Sequence, residues 1–183
     1  MDDQPVVGIV PVEGRGSLPF ALLQGDSLVA IASWALGEAG VELLDFTASW
    51  EEVQERDAAL VVHDPLCPGT PVDFLEAAVA AAADGSVVVG VRPVTDTVKH
   101  ADGAVLGETV DRSGLVAVCS PVVLPAAVVR ALPAHPDTDD LADLVVTLSA
   151  DHPVAHLEAP PSARRVVDES DVRVLEGLLA GDG

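Results

Sequence analysis

Positive charge is scarce in this sequence. Its 183 residues carry one lysine, Lys99, and eight arginines against 30 acids, a formal net charge of −21. Nucleic acid and anionic membrane surfaces are thereby excluded as partners, because phosphate backbones are held by clustered Lys and Arg. The acidity itself favours solubility and fits a high-GC or salt-adapted proteome. Two cysteines, Cys67 and Cys119, lack metal-ligand spacing and read as small core residues rather than a disulfide or a zinc site. The five histidines are scattered without metal spacing. Aromatic residues make up 3% of the chain, and Trp34 and Trp50 read as packing anchors rather than a platform for stacking bases. No apolar run approaches the ~20 residues of a membrane span. The opening Met1-Asp2-Asp3-Gln4 lacks a charged-then-apolar leader, so a cytoplasmic protein is expected.

What is abundant is alanine and valine. Hydrophobic residues make up 49% of the chain and mean hydropathy is +0.40, enough for one packed domain over residues 1–183. Apolar runs alternate with helical patterns. Strands are expected at Val6–Val12, Val41–Phe46, Ala58–His63, Ser86–Val91, Leu115–Cys119 and Pro153–Glu158. Helices are expected after Asp26 or Ser27 to Gly37, after the capping box Ser49-Trp50-Glu51-Glu52, and over Pro71–Ala83 and Leu124–Leu132. Two more are expected over Thr138–Leu148, capped by Thr138, and over Glu169–Leu179. Such alternation with continuous β-branched strands predicts an α/β fold, a mostly parallel sheet with helices on both faces. The polar stretch at about 93–115 breaks the alternation and reads as a protruding β-arm.

Any site for an anionic phosphate must draw on few residues: Arg15, Arg92, Lys99, Arg112, Arg164 and Arg165, with Arg56, Arg130 and Arg173 reading as surface. Gly14-Arg15-Gly16 after the first strand is either a phosphate cradle or a plain turn. Asp64, at the end of a central strand, is either a metal ligand or a structural cap. His63 reads as core.

Several motifs together carry a resemblance. They are Gly14-x-Gly16 after the first strand, His63-Asp64, Pro93-Val94-Thr95-Asp96-Thr97-Val98-Lys99, Thr109-Val110-Asp111-Arg112-Ser113-Gly114-Leu115, Ser120-Pro121, Thr138-Asp139-Asp140 and Arg165-Val166. In this order, over nearly the whole chain, they resemble the 2-C-methyl-D-erythritol 4-phosphate cytidylyltransferases, and the pair within 93–115 is the most specific. The resemblance implies a Rossmann-like sheet, an arm that forms a homodimer, and a CTP site in the first half. It also implies a sugar-phosphate site in the second half built from Thr97, Lys99, Arg112, Thr138 and Arg165. Gly14 and Gly16 are then the nucleotide-binding glycines, and Asp64 the ligand of Mg²⁺ if the protein is active.

The departures fall on the nucleotide side. Nucleotidyl transfer needs cations to stabilise charge developing on the phosphoryl oxygens. Here Phe20 stands where the family has a lysine, Cys67 where it has an arginine, and Ser162 where it has an acid. Glu13 adds a negative charge, the glycine loop is short, and Phe46–Ala58 is too short for the family's base-recognition loop. Arg15 alone remains as a catalytic candidate. On the other side, Thr97, Lys99, Arg112, Thr138 and Arg165 keep the hydroxyls and cations that bind a sugar phosphate. For Thr97 and Arg112 arm packing or a dimer salt bridge is the alternative, and for Arg164-Arg165 a solvated pair. Three functions are consistent with this pattern. One is a non-catalytic homologue binding a phosphorylated small molecule or a protein partner. The others are an active CTP-dependent nucleotidyltransferase with a rearranged loop, and a ligand-free scaffold dimer.

Overall fold

A computed structural model describes residues 5–45, 48–95, 97–103 and 105–181. The leader reading of Met1–Gln4, the end of the second expected strand at Phe46, and Asp96 of the arm motif lie outside the described residues.

The first half runs β1 (Val6–Ile9), a hairpin of β2 (Leu22–Leu23) and β3 (Asp26–Ser27), α1 (Leu28–Glu38), β4 (Glu42–Leu43), α2 (Trp50–Glu55), β5 (Ala59–Val62) and α3 (Val72–Ala81). The second half runs β6 (Val87–Pro93), β7 (Lys99–Asp102), β8 (Val105–Thr109), β9 (Val116–Leu124), α4 (Ala126–Ala131), α5 (Leu141–Ser149), β10 (Val154–Glu158) and α6 (Glu169–Gly181). Six strands form one sheet in the order β10-β6-β9-β5-β1-β4. β4, β1 and β5 run parallel, as do β6 and β10, while β9 is antiparallel to both its neighbours.

Alternating side chains of the buried strands feed two cores. Leu60, Val62, Val89 and Val122 face α4 and α5. Val61, Val88 and Val123 face α1 and α3. The sheet therefore holds its C-terminal strand ends rigid, which is where α/β folds bind ligands.

The strands expected at Val6–Val12 and Val41–Phe46 are shorter, Val6–Ile9 and Glu42–Leu43, and two further elements differ beside the site. The strand expected to stop at Cys119 continues through Ser120-Pro121 to Leu124. Pro121 is tolerated because the β6–β9 register shifts between Val89 and Val91, so the missing N–H falls in a bulge. Gly90 sits opposite, and a Cβ there would lie 2.7 Å from the Ser120 carbonyl oxygen. The helix expected to start at Thr138 starts at Leu141, with Asp140 accepting from the Ala142 and Asp143 N–H groups. Thr138 and Asp139 are engaged elsewhere: the Thr138 carbonyl accepts from Arg15, and Asp139 packs on Gly14.

The arm expected at about 93–115 contains the β7–β8 hairpin, a ladder separate from the main sheet.

Candidate functional site

The centre of the site is a buried carboxylate held by two guanidiniums. Asp64 follows β5 and is 2% exposed. Arg15, in the loop after β1, donates from Nε to Asp64 Oδ1 at 2.8 Å, and its side chain has no exposed surface. Arg165 donates from Nε to Asp64 Oδ2 at 3.1 Å. The Leu66 N–H also donates to Oδ1, at 2.9 Å. Arg15 is fixed further by donating to the carbonyls of Glu13 (2.7 Å) and Thr138 (2.9 Å). A buried arginine among the few bases of an acidic chain thus points inward, away from any ligand in the loop.

Beneath Asp64 lies a second polar layer. The Ser120 hydroxyl accepts the Asp64 N–H at 2.9 Å and lies 2.5 Å from His63 Nδ1. The direction of that His63–Ser120 hydrogen bond follows the imidazole tautomer. Nε2 is buried without a partner among the described residues. Burial drives the His63 pKa down to about 4 against an opposing pull from Asp64, so the ring is neutral. Cys67 and Cys119 belong to one apolar cluster with Phe74, Ala159 and Ala163. Burial pushes both thiols up, which makes them inert.

Gly14 and Gly16 both adopt left-handed backbone, with φ of +71° and +58°. A Cβ on Gly14 would lie 2.9 Å from Asp139 Cβ, so the loop is closed against the segment before α5. Beside it a cleft of about 450 Å³ opens at the ends of β1 and β4, lined by Val10, Val12, Glu13, Leu44, His135 and Thr138, among others. None of its lining residues is Arg or Lys. Phe20 ends a short 3-10 turn over Leu18–Phe20 and is 59% exposed, so it neither fills this cleft nor faces it.

The sequence-predicted residues thus divide in two. Gly14, Arg15, Asp64, Thr138 and Arg165 come together at the strand ends. Thr97 and Lys99 are exposed on the arm, and Arg112 at its base donates to the Thr95 carbonyl. Arg112 also lines a separate cleft of about 640 Å³ with Asp111, Ser113, His156 and Glu158. Arg164 pairs with Asp171 of α6. The His63–Ser120 contact joins residues 57 apart and has no local signal in the sequence.

The donor set does not fit a protein-held Mg²⁺. Asp64 already accepts three hydrogen bonds, two of them from guanidiniums that neutralise its charge, whereas a hard divalent cation is held by charged carboxylates free of such partners. Among the described residues, no group of three or more His, Cys, Asp or Glu side chains could hold a metal ion.

A mixed sheet with an antiparallel central strand, a glycine loop after β1 and a hairpin arm is the fold of an α/β nucleotidyltransferase. Residues 46–151 match the profile of IspD, 2-C-methyl-D-erythritol 4-phosphate cytidylyltransferase, and the chain belongs to that family. It is 37% identical over 126 residues to a bifunctional enzyme IspD/IspF from Clavibacter michiganensis, covering 67% of this chain and 30% of that protein. It is 36% identical over 148 residues to a 2-C-methyl-D-erythritol 4-phosphate cytidylyltransferase from Frankia casuarinae, covering 77% of this chain and 54% of the relative. The chain therefore spans about half or less of the length of these relatives. The crystal structure of the cytidylyltransferase from Thermus thermophilus shares the fold, with a TM-score of 0.72 at 22% identity, covering 97% of this chain and 100% of that one. No helix among the described residues is long and apolar enough to cross a membrane.

Proposed function

We propose that this member of the cytidylyltransferase family binds a phosphorylated small molecule and does not transfer a nucleotide. The observation that carries the reading is the buried Arg15–Asp64 pair. It occupies the loop's one cation and the strand-end carboxylate of Asp64 with each other. The cleft beside the loop has Glu13 in its lining and no cation, so a triphosphate there would meet repulsion rather than stabilisation. Arg165 and the arm residues Thr97, Lys99 and Arg112 keep the chemistry of an anion site. In this reading the arm makes a homodimer in the cytoplasm and brings its residues to the partner's pocket. Mg²⁺ has no part in it.

A second reading, an active CTP-dependent enzyme with a rearranged loop, is favoured by family membership and by the left-handed glycines, which aim backbone N–H groups as an anion nest does. It requires Arg15 to leave Asp64.

Two measurements separate them. With CTP, Mg²⁺ and 2-C-methyl-D-erythritol 4-phosphate, no pyrophosphate release is expected; turnover at about 1 s⁻¹ or above overturns the proposal. In separate calorimetric titrations the sugar phosphate is expected to bind and CTP is not. If neither binds, the chain is a scaffold without ligand.

A further inference from the structure

We propose that Arg92 and Arg165 form a two-guanidinium clamp for a single phosphate monoester group above Cys119, which rests on the reading of the site as one that binds a phosphorylated small molecule.

Arg92 lies at the C-terminal end of β6, paired with Ala117 of β9. Strand alternation puts Arg92, Ala117 and Cys119 on one face, with Arg92 and Cys119 as diagonal neighbours. Arg165 reaches the same place from the turn after Pro161–Ala163, anchored through Nε to Asp64 Oδ2 at 3.1 Å. Both guanidiniums act on the Cys119 thiol, pulling against the rise that burial causes.

Their charge is unmatched. Asp64 is held by both Arg15 and Arg165, so two guanidiniums share one carboxylate and Arg92 adds a third positive charge. The Arg92 side chain makes no hydrogen bond or ion pair among the described residues. Glu158 lies across from Val91 rather than Arg92, lines the cleft beside Phe74, and makes no ion pair among the described residues. On a chain of net charge −21, a local excess of two positive charges is exceptional. Like charges converge at a cost unless an anion completes them. The Arg165 side chain is 38% exposed and meets Asp64 through Nε, leaving its terminal nitrogens without a partner among the described residues. Guanidinium forks match phosphate oxygens two at a time. The floor beneath, Cys67, Phe74, Cys119 and Ala163, is apolar and strengthens such contacts.

The test is calorimetric titration with inorganic phosphate at low salt and pH 8. The wild-type protein is expected to bind, and Arg92→Gln to bind about tenfold more weakly or worse. Arg130→Gln, in the exposed Arg130–Asp57 surface pair, is expected to bind like wild type. Absence of wild-type binding, or equal binding by R92Q, overturns the clamp. Should R92Q fail to fold, nitrogen NMR of the wild-type arginine side chains decides: phosphate shifts the Arg92 and Arg165 Nε signals, and an unmoved Arg92 signal overturns the proposal. Sugar phosphate bound equally by R92Q and wild type defeats the clamp alone. Phosphate bound through Arg92 without sugar-phosphate binding defeats the proposed function alone.

Discussion

Arg15 Nε donates to Asp64 Oδ1 at 2.8 Å in the interior of the fold, where the side chains are 0% and 2% exposed. The pair ties the loop after β1 to the end of β5, and through the Arg15–Thr138 contact to the segment before α5. Arg15→Met leaves Asp64 with Arg165 as its one charged partner, and removing one member of a buried pair costs about 3–5 kcal/mol. Urea unfolding should show that loss. In R15M/D64L the orphaned charge is gone, so the double variant should be more stable than the sum of the single losses. Strict additivity would show that the two residues do not act as a unit.

Much of this was legible locally and some was not. The apolar runs Ser86–Val91 and Ala58–His63 announce the strands found at Val87–Pro93 and Ala59–Val62, and the capping box at Ser49 and Glu52 forms with both its hydrogen bonds. The family motifs pointed to the fold. The extension of β9 through Pro121 is hidden because only a bulge within β9, where residues 119–121 face the single residue Gly90 of β6, makes a proline tolerable there. The inward turn of Arg15 was hidden because its acceptor lies 49 residues away, and nothing near Gly14-Arg15-Gly16 encodes it. A loop arginine between glycines looks the same in sequence whether it faces a ligand or the core.

The two loop glycines should respond unequally to alanine. Both have left-handed φ, which costs a side-chain-bearing residue about 1–2 kcal/mol. Gly16 has nothing within 4 Å of the position a Cβ would take, so Gly16→Ala should lose only that. At Gly14 the new Cβ meets Asp139 at 2.9 Å, adding an overpacking penalty of about 1–3 kcal/mol. Denaturant midpoints for the two variants check this, and equal losses would mean that Asp139 does not close the loop.

Restoring a lysine at Phe20 should not restore an enzyme. The Phe20 side chain is 59% exposed at the end of its 3-10 turn, so a lysine there would point to solvent. Phe20→Lys is expected to fold like wild type and to release no pyrophosphate from CTP with the sugar phosphate and Mg²⁺. Turnover in F20K but not in wild type would show that position 20 reaches the phosphates and that the active reading needs only its cation.

His63 should make the protein sensitive to mild acid. Its pKa is about 4 in the fold, where burial disfavours the charged ring, against an ordinary value of 6.5 when unfolded. Between these values the unfolded chain binds the proton and the folded one does not, so stability rises with pH across the window. The His63 contribution is therefore fully present above pH 6.5 and is lost progressively as pH falls to about 4. A gap of this size corresponds to about 3 kcal/mol. The unpartnered Nε2 gives the protonated ring no acceptor that would offset the cost. Urea unfolding at pH 7, 6, 5 and 4 should show the decline, and His63→Gln should flatten it by about that amount even if the variant is less stable at pH 7. The same slope in wild type and H63Q would assign the acid sensitivity to carboxylates instead.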